Sequence, residues 1–151
     1  MTPYVFRSTG RCDSDDNDGT DVGEALGASA ATSTQVLTLY IPNKDRDGKE
    51  FGTQRKWVLE AAGLLAEVGG GVTVMPACEG GWFNEATADV VWESPIVVYT
   101  YIKPEPFTAA LPRLRAFLHR LGRETNQGEV AVEFDGHFYR ITTFDDQGAP
   151  P

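Results

Sequence analysis

The chain has 151 residues and a formal charge of -9, from 13 Lys+Arg against 22 Asp+Glu, and 41% of it is hydrophobic. A chain of that length can bury about two-thirds of its unfolded surface in one core, which excludes a disulfide-stapled mini-fold, a coiled coil and a collagen-like rod. The acid excess argues against a general polyanion coat and against an anionic-membrane binder, since both need basic surface, while leaving room for a local basic patch.

No stretch approaches the ~20 consecutive apolar residues that cross a bilayer. Met1 to Cys12 has neither an apolar h-region nor a small-residue cleavage pattern, so a soluble, cytoplasmic protein is expected. Cys12 and Cys78 lie far apart and fit a reducing compartment. Residues 1–35 carry Asp13, Asp15, Asp16, Asp18, Asp21 and Glu24 against Arg7 and Arg11, with few large apolar side chains. Such a segment cannot bury enough surface to offset its ordering entropy, and it is expected to be an acidic, disordered tail. Residues 36–143 are expected to form a single domain. Residues 144–151, with two acids, Gly148 and two prolines, read as a flexible C-terminal tail.

The body begins at Val36, where Leu37, Leu39 and Ile41 alternate with Val36, Thr38 and Tyr40 up to Pro42, the period of a strand. After a charged loop the period changes. Trp57, Ala61, Leu64, Leu65 and Val68 fall on one stripe of an amphipathic helix that starts near Thr53 and stops at Gly69, Gly70 and Gly71. Val72 to Cys78 reads as a second strand. Val90 to Trp92 with Ile96 to Ile102 reads as a third, joined to the second through Glu79 to Asp89, with a bulge or edge position at Pro95. A second helix is expected to open between Pro106 and Pro112, because proline is tolerated in a first turn, and to run to about Gly122. Its apolar stripe is Leu111, Leu114, Phe117, Leu118 and Leu121. Glu129 to Phe134, the turn Asp135-Gly136 and His137 to Thr142 make a hairpin. The expected fold is therefore α+β, a two-layer ferredoxin-like β-α-β-β-α-β sandwich with an extra C-terminal hairpin strand.

Several constellations could carry chemistry. Asn43 to Glu50 places oxygen-bearing side chains at alternate positions before Gly48, like the first half of a calcium loop. Its twelfth position is Gln54, which has no carboxylate, and Lys44, Arg46 and Lys49 offset the acids. The loop reads as a solvated turn, with a metal site at Asp45 and Asp47 as the alternative because it lies at the carboxyl end of the first strand. Glu93 interrupts an apolar run; it faces solvent by alternation, or it sits in a partly dry cleft as a general base. His119 is expected to be exposed opposite the apolar stripe of its helix, and neither it nor His137 has a second ligand at zinc spacing. Trp82 and Phe83, with Trp92 across the turn, could form an aromatic shelf or simply pack across strands. Arg113, Arg120 and Arg123, with Arg115 nearby, give the second helix a positive face suited to an anionic ligand, another subunit, the acidic tail or plain solvent.

Leu39-Tyr40-Ile41-Pro42, Asp45-Arg46-Asp47-Gly48-Lys49, Trp57, Gly70-Gly71-Val72-Thr73, Gly81-Trp82 and Leu121-Gly122-Arg123-Glu124 through Gln127-Gly128-Glu129-Val130 together resemble a family of small bacterial proteins of unknown function. The likeness covers about residues 36–142. It implies a compact cytoplasmic domain and carries no mechanism, since that family has no established activity.

Two readings of function follow. The first is a non-enzymatic binding or interaction module without a cofactor, dimeric through a sheet face or edge. It would take a protein partner or a small anionic ligand at Arg113, Arg120, Arg123 and Trp82, and it is favoured because no catalytic constellation is complete. The rival is a metal-dependent hydrolase or nuclease in which Asp45 and Asp47 hold a divalent ion such as Mg²⁺ and Glu93 or His119 acts as acid or base, an analogy at the level of fold.

Overall fold

The computed structural model describes residues 19–29 and 33–146. Much of the acidic N-terminal segment, Cys12 included, lies outside the described residues, as do residues 147–151 of the C-terminal segment. The chain divides into two units, Met1–Thr32 and Ser33–Pro151. In the first, α1 (Val22–Ala25) is a single turn whose N-cap, Asp21, accepts the Glu24 N–H at 3.1 Å.

The second unit contains, in order, β1 (Val36–Ile41), α2 (Gln54–Gly69), β2 (Thr73–Val74), β3 (Gly80–Asn84), β4 (Asp89–Glu93), β5 (Ile96–Tyr101), α3 (Pro104–Glu124), β6 (Val130–Phe134) and β7 (His137–Ile141). Five strands form an antiparallel sheet in the order β2-β5-β1-β6-β7, and β3 and β4 form a separate two-stranded sheet. The architecture is mixed α+β, with one helical layer on one sheet face. Helices and strands interleave differently from expectation, because the β3–β4 hairpin stands between β2 and β5.

Alternation along β1 decides which face is covered. Leu37, Leu39 and Ile41 are buried, and they meet Trp57, Val58, Ala61, Leu65 and Val68 of α2 and Ala110, Leu114, Phe117, Leu118 and Leu121 of α3 in one cluster. Full burial of each large side chain is worth roughly 1.5–3 kcal/mol. Trp57 and Phe117 join the helices, with ring centroids 5.9 Å apart. The helix stop expected at the glycine run is at Gly70, which takes φ 83° and returns its N–H to Ala66 O at 2.8 Å.

Three expectations for the elements need correction. The second strand is two residues long, not seven: after Val74 the pairing toward β5 continues only as single bonds, Met75 N–H to Val97 O at 2.9 Å and Cys78 N–H to Pro95 O at 3.0 Å, on either side of Pro76, which has no N–H for the ladder. The expected third strand is two strands in different sheets. They part at Ser94-Pro95, where Asn43 Oδ1 accepts the Ser94 N–H at 2.8 Å and Gln54 Nε2 donates to Ser94 O at 2.9 Å. Finally, α3 begins at Pro104 and continues through Pro112. The ladder bond that Pro112 forfeits is outweighed by the buried residues on either side of it, Ala110 and Leu114 among them.

The Asp135-Gly136 turn is as expected: both residues have positive φ, 51° and 77°, the signature of a tight hairpin turn. Among the described residues no helix is long and apolar enough to cross a membrane.

Candidate functional site

The helices cover one face of the sheet, and the opposite face bears the side chains that alternate with the core. Tyr40 stands beside Val97, Ala131 beside Arg140 and Glu133 beside Phe138. A cavity of about 830 Å³ lies over this face, with the β3–β4 hairpin as its wall and the loops after β1 and α3 as its rim. The volume is in the range of small-molecule sites.

On the floor, the Tyr40 hydroxyl donates to Glu133 Oε2 at 2.8 Å. Burial, reinforced by that bond, raises the phenol above its ordinary pKa, so the ring presents a neutral, fixed hydroxyl. Arg140 pairs with Glu129 through Nε at 2.8 Å and through Nη2 at 2.6 Å. In the wall, the register Gly80 to Glu93 and Trp82 to Val91 puts Trp82 and Glu93 on the same side of the hairpin, and both line the cavity. Glu93 is half-buried. Desolvation raises its carboxyl above the usual range, and the nearby Lys44 ammonium opposes part of that rise.

The rim is built from two loops bonded to each other. Asn126, at φ 50°, ends α3 in the left-handed conformation that asparagine tolerates, and Gln127 N–H returns to Gly122 O at 2.9 Å. This turn aims the Gln127 side chain at the other loop, where Nε2 donates to Lys44 O at 2.9 Å as well as to Thr125 O and Oγ1. Arg46 N–H donates to Asn126 O at 2.9 Å. Asp45 Oδ1 accepts the N–H groups of Asp47 at 2.8 Å and Lys49 at 3.0 Å, and these bonds, Lys49 foremost, hold its carboxyl below the ordinary value. The residues that line the cavity include four acids, Asp45, Glu79, Glu93 and Glu129, against two arginines, Arg46 and Arg140, and the aromatic residues Tyr40, Trp82, Phe83 and Phe138.

Of the residues singled out from sequence, Asp45, Trp82, Phe83 and Glu93 are in the lining, whereas Asp47, Trp92, Arg113, His119, Arg120 and Arg123 are not. Asp47 is exposed, accepts from Asn126 Nδ2 at 3.4 Å and is not part of the lining. Among the described residues no group of three or more His, Cys, Asp and Glu side chains is placed to hold a metal ion. His119 corrects its expectation: it is buried, 7% exposed, and its Nδ1 accepts the Asp145 N–H at 2.9 Å. A single stripe of large apolar residues on α3 gave no hint that Phe144 would cover the neighbouring face, where its ring meets His119 edge-on with centroids 6.2 Å apart.

The arginine face is engaged by the chain's own acids and by one backbone carbonyl. Arg113 pairs with Glu67 at 2.7 Å, Arg120 with Glu60, Arg115 with both oxygens of Asp145 at 2.9 and 2.5 Å, and Arg123 with Asp145 O. The aromatic shelf divides as well, since Trp82 lies on one side of the hairpin while Phe83 and Trp92 share the register of the other. Sequence reasoning missed Tyr40, Gln127, Glu129 and Arg140. Strict alternation around the buried Leu39 and Ile41 already set Tyr40 on the open face; nothing local pointed to Gln127.

No family model matches the chain, and no curated protein matches it in sequence. Among solved structures, it is similar to a phage SAM lyase in complex with S-methyl-5'-thioadenosine, with a TM-score of 0.53 and 14% identity over 76% of this chain and 94% of that chain. It is also similar to a phage SAM lyase in the apo state, with a TM-score of 0.50 and 16% identity over the same shares. At these identities the likeness is one of fold.

Proposed function

We propose that the protein binds a small adenosine thioether or sulfonium compound in the cavity between the open sheet face and the β3–β4 hairpin. The observation that carries this is a cavity of about 830 Å³ with aromatic rings and a carboxylate excess along its lining. Planar rings favour stacking on a purine, and carboxylates beside rings favour a cationic centre. The ligand class is taken from the similar phage SAM lyase, whose structure holds S-methyl-5'-thioadenosine.

The frame is read as a ferredoxin-like core, β1-α2-β2-β5-α3-β6, with β7 added at one edge and the β3–β4 hairpin inserted. The order β2-β5-β1-β6 supports it.

An anionic ligand on the arginine face has less support, because each of those arginines already has an acidic or carbonyl partner. Metal-assisted hydrolysis has less support too. One oxygen of Asp45 is engaged by two backbone N–H groups, and neither Asp47 nor His119 lines the cavity with Glu93.

The test is calorimetric titration of the full chain with S-methyl-5'-thioadenosine and with S-adenosylmethionine. Saturable one-site binding is expected, and a ligand at about 100 times its Kd should add roughly 2.7 kcal/mol to unfolding stability. Trp82→Ala should weaken binding by at least about tenfold, in line with loss of a stacking ring. Absence of binding by both compounds at millimolar concentration refutes the proposal. Chromatography of the S-adenosylmethionine samples shows in the same experiment whether S-methyl-5'-thioadenosine is released.

A further inference from the structure

We infer that Gln127 is a specificity-determining residue of the cavity, presenting a fixed hydrogen-bond acceptor that selects a ligand carrying an N–H donor. The inference rests on the thioadenosine reading above and deepens it.

The orientation of the Gln127 amide follows from its neighbours. Two of its contacts are backbone carbonyl oxygens, Lys44 O at 2.9 Å and Thr125 O at 3.2 Å, which can only accept. The third, Thr125 Oγ1 at 3.1 Å, gives its own hydrogen to Leu121 O at 2.6 Å and therefore also accepts. Turning the amide over would set its oxygen against three acceptors, so the nitrogen is the end that faces the loop. The carbonyl oxygen, Oε1, is left on the other side.

Two further observations locate Oε1. Among the described residues no buried side-chain nitrogen or oxygen lacks a hydrogen-bond partner, and no protein donor reaches Oε1. Oε1 is therefore open to water. Gln127 is only 8% exposed and is one of the residues that line the cavity, and we place the Oε1 opening on that side. An acceptor held in place by an amide nitrogen whose two hydrogens are spent on Lys44 O and, shared, on Thr125 O and Oγ1 loses little freedom on binding and cannot rotate to donate instead. It rewards a ligand N–H, and it opposes a ligand carbonyl placed at the same point, where two acceptors would face each other without a proton. In an adenine ring the exocyclic amine is such a donor; in the 6-oxo ring of hypoxanthine the same position is an acceptor.

The test compares S-methyl-5'-thioadenosine with its 6-oxo counterpart, S-methyl-5'-thioinosine, by calorimetry on the full chain. The wild type should prefer the amino compound by at least about tenfold, the scale of one buried hydrogen bond replaced by an unpaired acceptor. In Gln127→Met, which keeps the side-chain length without the amide, the preference should fall to within about threefold. Circular dichroism melting checks that this variant is folded.

A wild-type ratio within threefold overturns the inference while leaving the thioadenosine reading intact. A preference retained in folded Gln127→Met also overturns it, because another group must then read the ring. If neither compound binds, the thioadenosine reading fails and the inference falls with it. If Gln127→Met does not fold, the wild-type ratio decides.

Discussion

Gly122, in the last turns of α3, is a place where one methyl group should change sign with its surroundings. An added Cβ would come within 3.0 Å of three atoms of the Phe144 ring, closer than carbon atoms approach. In Gly122→Ala the ring must lift off the helix. Phe144 is half-buried against the core, so lifting it costs about 1 kcal/mol of apolar burial. It also strains the bond from Asp145 N–H to His119 Nδ1, worth about another 1 kcal/mol. Against this, alanine is the better helix former by somewhat under 1 kcal/mol. The net expectation is a loss of about 1 kcal/mol, or about 3–5 °C in Tm for a body of this size. Once the ring is gone, in Phe144→Ala, only the helix-forming gain remains and Gly122→Ala should raise Tm. Thermal melts of the four chains in this double-mutant cycle give a coupling of about 2 kcal/mol. If Gly122→Ala lowers Tm equally in both backgrounds, the segment after β7 does not rest on Gly122 and the reasoning fails.

Two other perturbations are read by denaturation. Because the Glu93 carboxyl is raised by burial, the folded chain holds its proton at pH values where the unfolded chain has released it, so stability falls as pH rises through that window. Wild type should therefore lose stability relative to Glu93→Gln as pH climbs from about 4 toward neutrality; urea midpoints that diverge the other way, or not at all, refute the burial argument. Trp57, 2% exposed and packed on Phe117 with the Arg120 guanidinium 5.1 Å from its ring centre, should cost about 3–5 kcal/mol on replacement by alanine, and a urea unfolding loss below about 1 kcal/mol would remove it from the core.

What could be read from the chain alone was set by periodicity. Leu37, Leu39 and Ile41 mark a half-covered strand, and Trp57 through Val68 mark one buried helix stripe, because those patterns depend on neighbours two to four residues away. Asp135-Gly136 was legible for the same reason: the turn demands positive φ locally. The misses all have long-range causes. Gly80-Gly81 has little strand propensity of its own, and β3 exists because Trp82 and Phe83 pair with Val91 and Val90. Pro112 breaks a helix by local rule and is overridden by the buried side chains around it. His119 is counted polar in any pattern, and its burial depends on Phe144 and Asp145, 25 and 26 positions later.

The candidate site divided along the same line. Asp45, Trp82 and Glu93 could be picked out by type, whereas Gln127 and Arg140 gain their place only when two loops and an edge strand meet.

The β3–β4 hairpin forms its own two-stranded sheet, and such a pair has little stability unaided. Its neck is tied to the body mainly by polar bonds, Ser94 N–H to Asn43 Oδ1, Gln54 Nε2 to Ser94 O and Lys44 Nζ to Trp92 O, while its outer side leaves Phe83 and Trp92 each 62% exposed. The floor of the cavity, by contrast, belongs to the sheet that carries the whole core. On these ties the hairpin is expected to open at lower free energy than the domain unfolds, while the sheet side stays stiff. If the proposed ligand binds, its entry would need only a local parting of the hairpin, and once bound between the two it would lend the hairpin the apolar contact that the chain itself does not supply.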